Sequence, residues 1–140
     1  MKRFLSILAL LITSLAPAFA QEPDEVEAPK MNKKNLVVKE WNTGAKGART
    51  LDHLTVYSPE GKKIEEIEYD SMGIQKWRKR IEWGESGKVV REMVYDGRNR
   101  LVNYKKFEYN EFGKKKTQYT YDAKGKLIST KVYEYISEDA

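Results

Sequence analysis

The chain has 140 residues, 34% of them charged, a formal net charge of +5, one histidine and no cysteine. That length fits one small domain, and the composition excludes a disulfide scaffold, a cysteine nucleophile and a histidine-rich zinc site. The charges are mixed in sign along the chain. This suits solubility and weak attraction to anions, and it does not describe a dedicated nucleic-acid surface.

Residues 1–20 read as a secretory signal peptide. Lys2 and Arg3 precede an apolar run from Phe4 to Leu15, and Ala18-Phe19-Ala20 supplies a small-x-small cleavage pattern before Gln21. A run of roughly 12 residues is short of the ~20 that span a bilayer, so no membrane span is expected once it is removed. The expected destination is the periplasm or the outside of the cell. Residues 21–34 hold two prolines, four acids and three lysines with almost nothing apolar, and are expected to be a flexible lead-in. The repeat domain is expected over 35–136, and 137–140 reads as a frayed tail.

From Tyr57 onward the chain repeats. The aromatic before each turn falls at Tyr57, Tyr69, Trp83, Tyr95, Tyr109, Tyr121 and Tyr135, at intervals alternating between 12 and 14 residues. Ser58-Pro-Glu-Gly61, Asp70-Ser-Met-Gly73, Asp96-Gly-Arg-Asn99, Asn110-Glu-Phe-Gly113 and Asp122-Ala-Lys-Gly125 place a side-chain acceptor first and Gly or Asn fourth. That order predicts a type I turn whose fourth residue has positive φ. Gly84-Glu-Ser-Gly87 departs at the first position and is expected to be looser. The segments between turns predict strands over 36–41, 50–57, 62–69, 74–83, 88–95, 100–109, 114–121 and 126–136, an all-β, antiparallel up-and-down meander.

Both spacings are even, so the odd-numbered aromatics are expected to share one face. The simplest hairpin register then sets Glu68 opposite Lys76, Glu66 opposite Arg78, Arg80 opposite Glu92 and Glu108 opposite Lys116 on the other face. Lys63, Glu65, Lys79, Arg91, Lys105, Lys115 and Lys131 would lie among the aromatics. So many charges inside a small closed barrel are costly. An open, twisted single-layer sheet lets their stems cover the rings while the charged ends reach water, and is the expected architecture, with a small barrel as the alternative.

The pattern Tyr121-Asp-Ala-Lys-Gly-Lys-Leu127 resembles the YD repeats of bacterial Rhs-type secreted proteins and short exported bacterial domains of hairpins alone. The likeness covers about 57–135. It implies hairpin architecture and brings no catalytic residue with it.

No nucleophile elbow, phosphate loop or dinucleotide fingerprint is present. His53 reads as a packed or partly exposed strand residue near Leu51 and Ile67. The acids read as turn formers or as cross-strand partners of Lys and Arg, not as a glycosidase pair. No catalytic residue, metal site or cofactor is therefore expected. The candidate binding face comprises Trp77, Lys79, Trp83, Arg91, Lys105, Phe107, Tyr119, Lys131 and Tyr133. Its rings would stack on sugars and its cations would hold carboxylate, sulfate or phosphate, as in an anionic glycan or cell-envelope polymer. The competing reading makes the aromatics a minimal core. An open meander also leaves two sheet edges free for a protein partner or for self-association. Together these features predict a non-enzymatic exported module working through protein contacts, with glycan binding as the alternative.

Overall fold

The Asp-x-x-Gly turns order the chain. In a computed structural model that describes residues 27–138, the Asp70 N–H donates to the Ile74 carbonyl (2.8 Å) and the Gly73 N–H to the Asp70 carbonyl (2.9 Å). The Asp70 Oδ1 accepts from the N–H groups of Met72 and Ile74 at 2.9 and 3.0 Å. Asp96, Asn110 and Asp122 repeat that arrangement, and the Ser58 hydroxyl oxygen replaces it in the first such turn. The fourth residue has positive φ throughout, including Asn99 at 61°. The turn at Gly84 is not looser. Its Gly84 N–H to Lys88 carbonyl (2.8 Å) and Gly87 N–H to Gly84 carbonyl (3.0 Å) bonds match the others. It lacks only the side-chain acceptor, and a Cβ on Gly84 would lie 2.7 Å from Val90 Cγ1.

Eight strands follow: β1 (Val37–Thr43), β2 (Arg49–Tyr57), β3 (Lys63–Tyr69), β4 (Gln75–Trp83), β5 (Val89–Asp96), β6 (Leu101–Tyr109), β7 (Lys115–Asp122) and β8 (Leu127–Val132). They pair in sequence order in one antiparallel sheet, and each packs only against its sequence neighbours. The sheet is open: β1 and β8 are its edges, and the barrel alternative is not formed. The expected lead-in ends at Lys34 in a turn with Asn35, whose N–H donates to the Ser58 carbonyl at 3.0 Å. Residues 27–30 belong to a separate N-terminal unit. The expected signal peptide lies outside the described residues.

One device recurs in all seven hairpins. Tyr69 pairs with Gln75, but Glu68 pairs with Trp77, so Lys76 is left over as a β-bulge. The residues passed over in this way are Asp52, Ile64, Lys76, Val90, Val102, Lys116 and Ile128. A bulge sets two residues against one and shifts the register beyond it. The expected charge pairs are therefore corrected by one position: Glu68 faces Trp77, Glu66 faces Lys79, Arg80 faces Met93 and Glu108 faces Thr117.

The same shift overturns the one-face expectation. Side chains directly across a ladder share a face. The series Leu54–Ile67–Arg78–Tyr95 defines one face and His53–Glu68–Trp77–Asp96 the other. Odd positions thus change face at every hairpin. Tyr57, Trp83 and Tyr109 lie at one end of the strands on what we term the Trp83 face. Tyr69, Tyr95 and Tyr121 lie at the opposite end on the Tyr95 face.

The core is correspondingly thin. Ile81 and Phe107 are the buried apolar side chains among the described residues, and Thr55 is buried on the same face. These three sit 26 residues apart along the Trp83 face.

Candidate functional site

Three of the bulges are each joined by a hydrogen bond to an aromatic of the repeat. Trp83 Nε1 donates to the Lys63 carbonyl (2.8 Å), the Tyr109 hydroxyl to the Val89 carbonyl (2.6 Å) and the Tyr135 hydroxyl to the Lys115 carbonyl (2.7 Å). Each acceptor is the first residue of a strand, at the bulge where the ladder is interrupted. Trp83 and Tyr109, each at the end of one strand, thus close the gap opened at the start of its neighbour, and Tyr135 does so from beyond the end of β8. Burial, reinforced by the Glu92 charge, raises the Tyr109 pKa above its ordinary value and keeps the hydroxyl protonated.

Of the nine expected binding residues, Trp77, Lys79, Trp83, Lys105, Phe107, Lys131 and Tyr133 are brought together on the Trp83 face. Arg91 and Tyr119 are not; the bulges place them on the Tyr95 face, with Arg91 opposite Glu82 and Tyr119 opposite Lys106. Arg91 forms a two-point ion pair with Glu82, at 2.9 Å from Nε and 2.7 Å from Nη2. That hydrogen bonding outweighs burial and lowers the Glu82 carboxyl below its ordinary range. The remaining cations are used unevenly. Lys79 pairs with Glu66 at 3.2 Å, and Lys115 lies 4.7 Å over the Phe107 ring. Lys105 and Lys131 have no ion pair among the described residues.

Glu66, expected only as a cross-strand partner of Arg78, organises one half of the Trp83 face. It accepts from Lys63 at 2.9 Å and lies 3.2 Å from Lys79 Nζ and 3.9 Å from His53 Nε2. Burial pushes its carboxyl up, but the two lysines together hold it below the ordinary value. His53 lies 3.1 Å from Glu68 and edge-on to Trp77 at 6.1 Å between ring centres, away from the expected Ile67. The signal for this cluster was the run Ile64-Glu-Glu-Ile-Glu68, whose faces become readable only once the bulge is placed.

A cleft of about 350 Å³ opens between the Ser58 and Gly84 turns, walled by Ile64, Ile81 and Trp83, with Glu60, Lys62 and Glu85 around them. Lys62 Nζ lies 4.9 Å over the Trp83 ring. Phe107 stands 26 residues after Ile81 and is likewise buried. On the opposite face Tyr104 and Tyr121 stack at 4.9 Å. No helix among the described residues is long and apolar enough to cross a membrane.

These features define a single-layer antiparallel meander with two differently furnished faces and two open edges. The sequence matches no protein-family model and no curated protein at a significant score. Among solved structures it is similar to a chain of the "Crystal structure of GtfA/B complex bound to UDP and GlcNAc", at 17% identity and a TM-score of 0.32. The match covers 83% of this chain and 25% of that one, a quarter of the longer protein, and bears on neither activity nor ligand.

Proposed function

We propose that the chain is a non-enzymatic, exported module of YD-type hairpins that acts by pairing its free sheet edges with protein segments. The observation that carries this reading is the composition of β8. Natural edge strands are blunted by charge, proline or bulges. β8 reads Leu-Ile-Ser-Thr-Lys-Val, with one charge, no proline and its bulge confined to Leu127 and Ile128 at the strand start, and all six residues are exposed. The Tyr133 N–H donates inward to the Lys116 carbonyl. By the alternation of an antiparallel ladder, the N–H and C=O groups of Thr130 and Val132 point away from β7. Such an edge takes an added strand through main-chain hydrogen bonds, with side-chain contacts setting specificity. The leader-like residues 1–20 support export.

Thr130→Pro removes one outward N–H and leaves the inward ladder bonds in place. Photocrosslinking from position 128 in the producing cell is expected to give discrete protein adducts that this substitution abolishes. Adducts indifferent to the proline, or no protein adduct from either edge, overturn the reading.

A second reading has its own support. Lys105 and Lys131, on the Trp83 face of β6 and β8, are unpaired, and Lys131 lies opposite Gln118, which the Tyr133 hydroxyl contacts at 3.4 Å. Cations beside a ring suit an anionic polysaccharide or envelope polymer. Salt-sensitive retention on a sulfated polysaccharide, lost in Lys105→Gln/Lys131→Gln, is the expected result. Retention unchanged in that double variant, or none at low ionic strength, removes this reading.

A further inference from the structure

We infer that the partner of the β8 edge is the β1 edge of a second copy of this chain, so that the sheet continues from molecule to molecule in the order β7–β8–β1–β2. This deepens the edge-pairing reading and rests on it. The two edges match in length, β1 with seven residues and β8 with six. Both expose apolar side chains: Val37 (48%) and Trp41 (43%) on β1, Ile128 (61%) and Val132 (68%) on β8.

Hydrogen-bonding polarity and facing also agree. The Leu36 carbonyl accepts the Tyr57 N–H, so the even positions of β1 bond inward and Lys39, Trp41 and Thr43 present their backbone groups outward. On β8 the outward residues are Thr130 and Val132. On both strands these outward residues belong to the Tyr95 face. An antiparallel junction that pairs Thr130 with Trp41 and Val132 with Lys39 therefore satisfies the ladder while keeping each face continuous. In that register Lys131 stands directly opposite Glu40 on the Trp83 face, and Ser129 stands opposite Asn42.

Charge selects this junction over a symmetric one. Residues 115–132 carry five lysines against one aspartate, whereas residues 37–57 carry three cations against two acids. Pairing β8 with β8 would join two β7–β8 hairpins that each carry this lysine excess and give Lys131 no acidic partner. Pairing β8 with β1 joins the basic edge to the more nearly neutral one and supplies Glu40. The contact is heterologous, so it propagates linearly and does not close into a dimer.

Sedimentation velocity of the purified chain over a wide concentration range tests this. The expected result is a weight-average mass that rises past the dimer without a plateau. Glu40→Lys and Lys131→Glu each remove the complementary pair at exposed positions and are expected to weaken association about tenfold or more, through like-charge repulsion. Glu40→Lys combined with Lys131→Glu is expected to restore it. A monomer at every concentration, a dimer plateau, or a double variant no better than either single one overturns the inference. A purified monomer that still forms protein crosslinks from position 128 in cells would leave the edge-pairing reading standing and assign the edge to a different protein.

Discussion

The Tyr109 hydroxyl donates to the Val89 carbonyl at 2.6 Å, across the bulge that Val89 and Val90 form opposite Trp83. Trp83 in turn donates to Lys63 at the preceding bulge of this face, so the two bonds form successive links of one series. In a sheet with two buried apolar side chains among its described residues, such links hold neighbouring strand ends where packing does little.

Tyr109→Phe deletes one donor without changing shape. It is expected to destabilise the fold by about 1 kcal/mol, the typical net worth of a buried hydrogen bond. Tyr95→Phe is the control, because the Tyr95 hydroxyl only contacts the Met93 sulfur at 3.7 Å, and it should cost less. Urea unfolding of the two variants gives the comparison.

Gly73 separates backbone conformation from space. Its φ is 77° and a Cβ there would meet nothing within 4 Å. Gly73→Ala is therefore expected to cost roughly 1–2 kcal/mol through the left-handed conformation alone. Gly73→Asn should cost less, since Asn99 already occupies the equivalent position at φ 61°. Thermal or urea unfolding distinguishes the two.

Gly84 presents the opposite case. An acceptor there would complete the turn, but a Cβ would collide with Val90 Cγ1 at 2.7 Å. Gly84→Asp alone is expected to be neutral or destabilising. Relative to Val90→Ala, the combination Gly84→Asp/Val90→Ala is expected to gain about 0.5–1.5 kcal/mol from the added hydrogen bonding. A double variant no more stable than Val90→Ala contradicts this.

The pH dependence has a defined sign at each limb. Glu66 and Glu82 have lowered pKa values in the fold, so each contributes stability that is present above the unfolded-state pKa and is lost as pH falls through the folded one. Glu66→Gln should flatten the acid limb of a stability–pH profile. Tyr109 has a raised pKa, so its contribution is complete below the ordinary tyrosine value and is lost as pH rises through the folded one. Tyr109→Phe should flatten the alkaline limb.

Much of this architecture is legible in the residues. The 12/14 spacing gives the six strands β3 to β8 and nearly all their boundaries, β8 ending four residues earlier than expected, because Asp-x-x-Gly turns are local devices whose chemistry does not depend on distant contacts. Asn99 is readable for the same reason. The faces are not. Lys76 and Ile64 are unlike as side chains, yet both are the residue passed over at a bulge, so periodicity carries no mark of the shift. Inferences that carried parity across an odd number of hairpins moved with it. Arg91 and Tyr119 left the expected binding face, and Glu66 acquired Lys79 in place of Arg78.

Because each strand touches only its sequence neighbours, no contact within the described sheet specifies that it should stop at eight. Its size is an open parameter, adjustable in evolution by duplicating or losing one short-plus-long strand pair of 26 residues. A change of that size keeps the remaining aromatic-to-bulge links in phase, whereas gain or loss of a single strand sets a short strand where a long one belongs. Lineages carrying this sheet should therefore differ in length by whole hairpins, as an array counted in fixed increments.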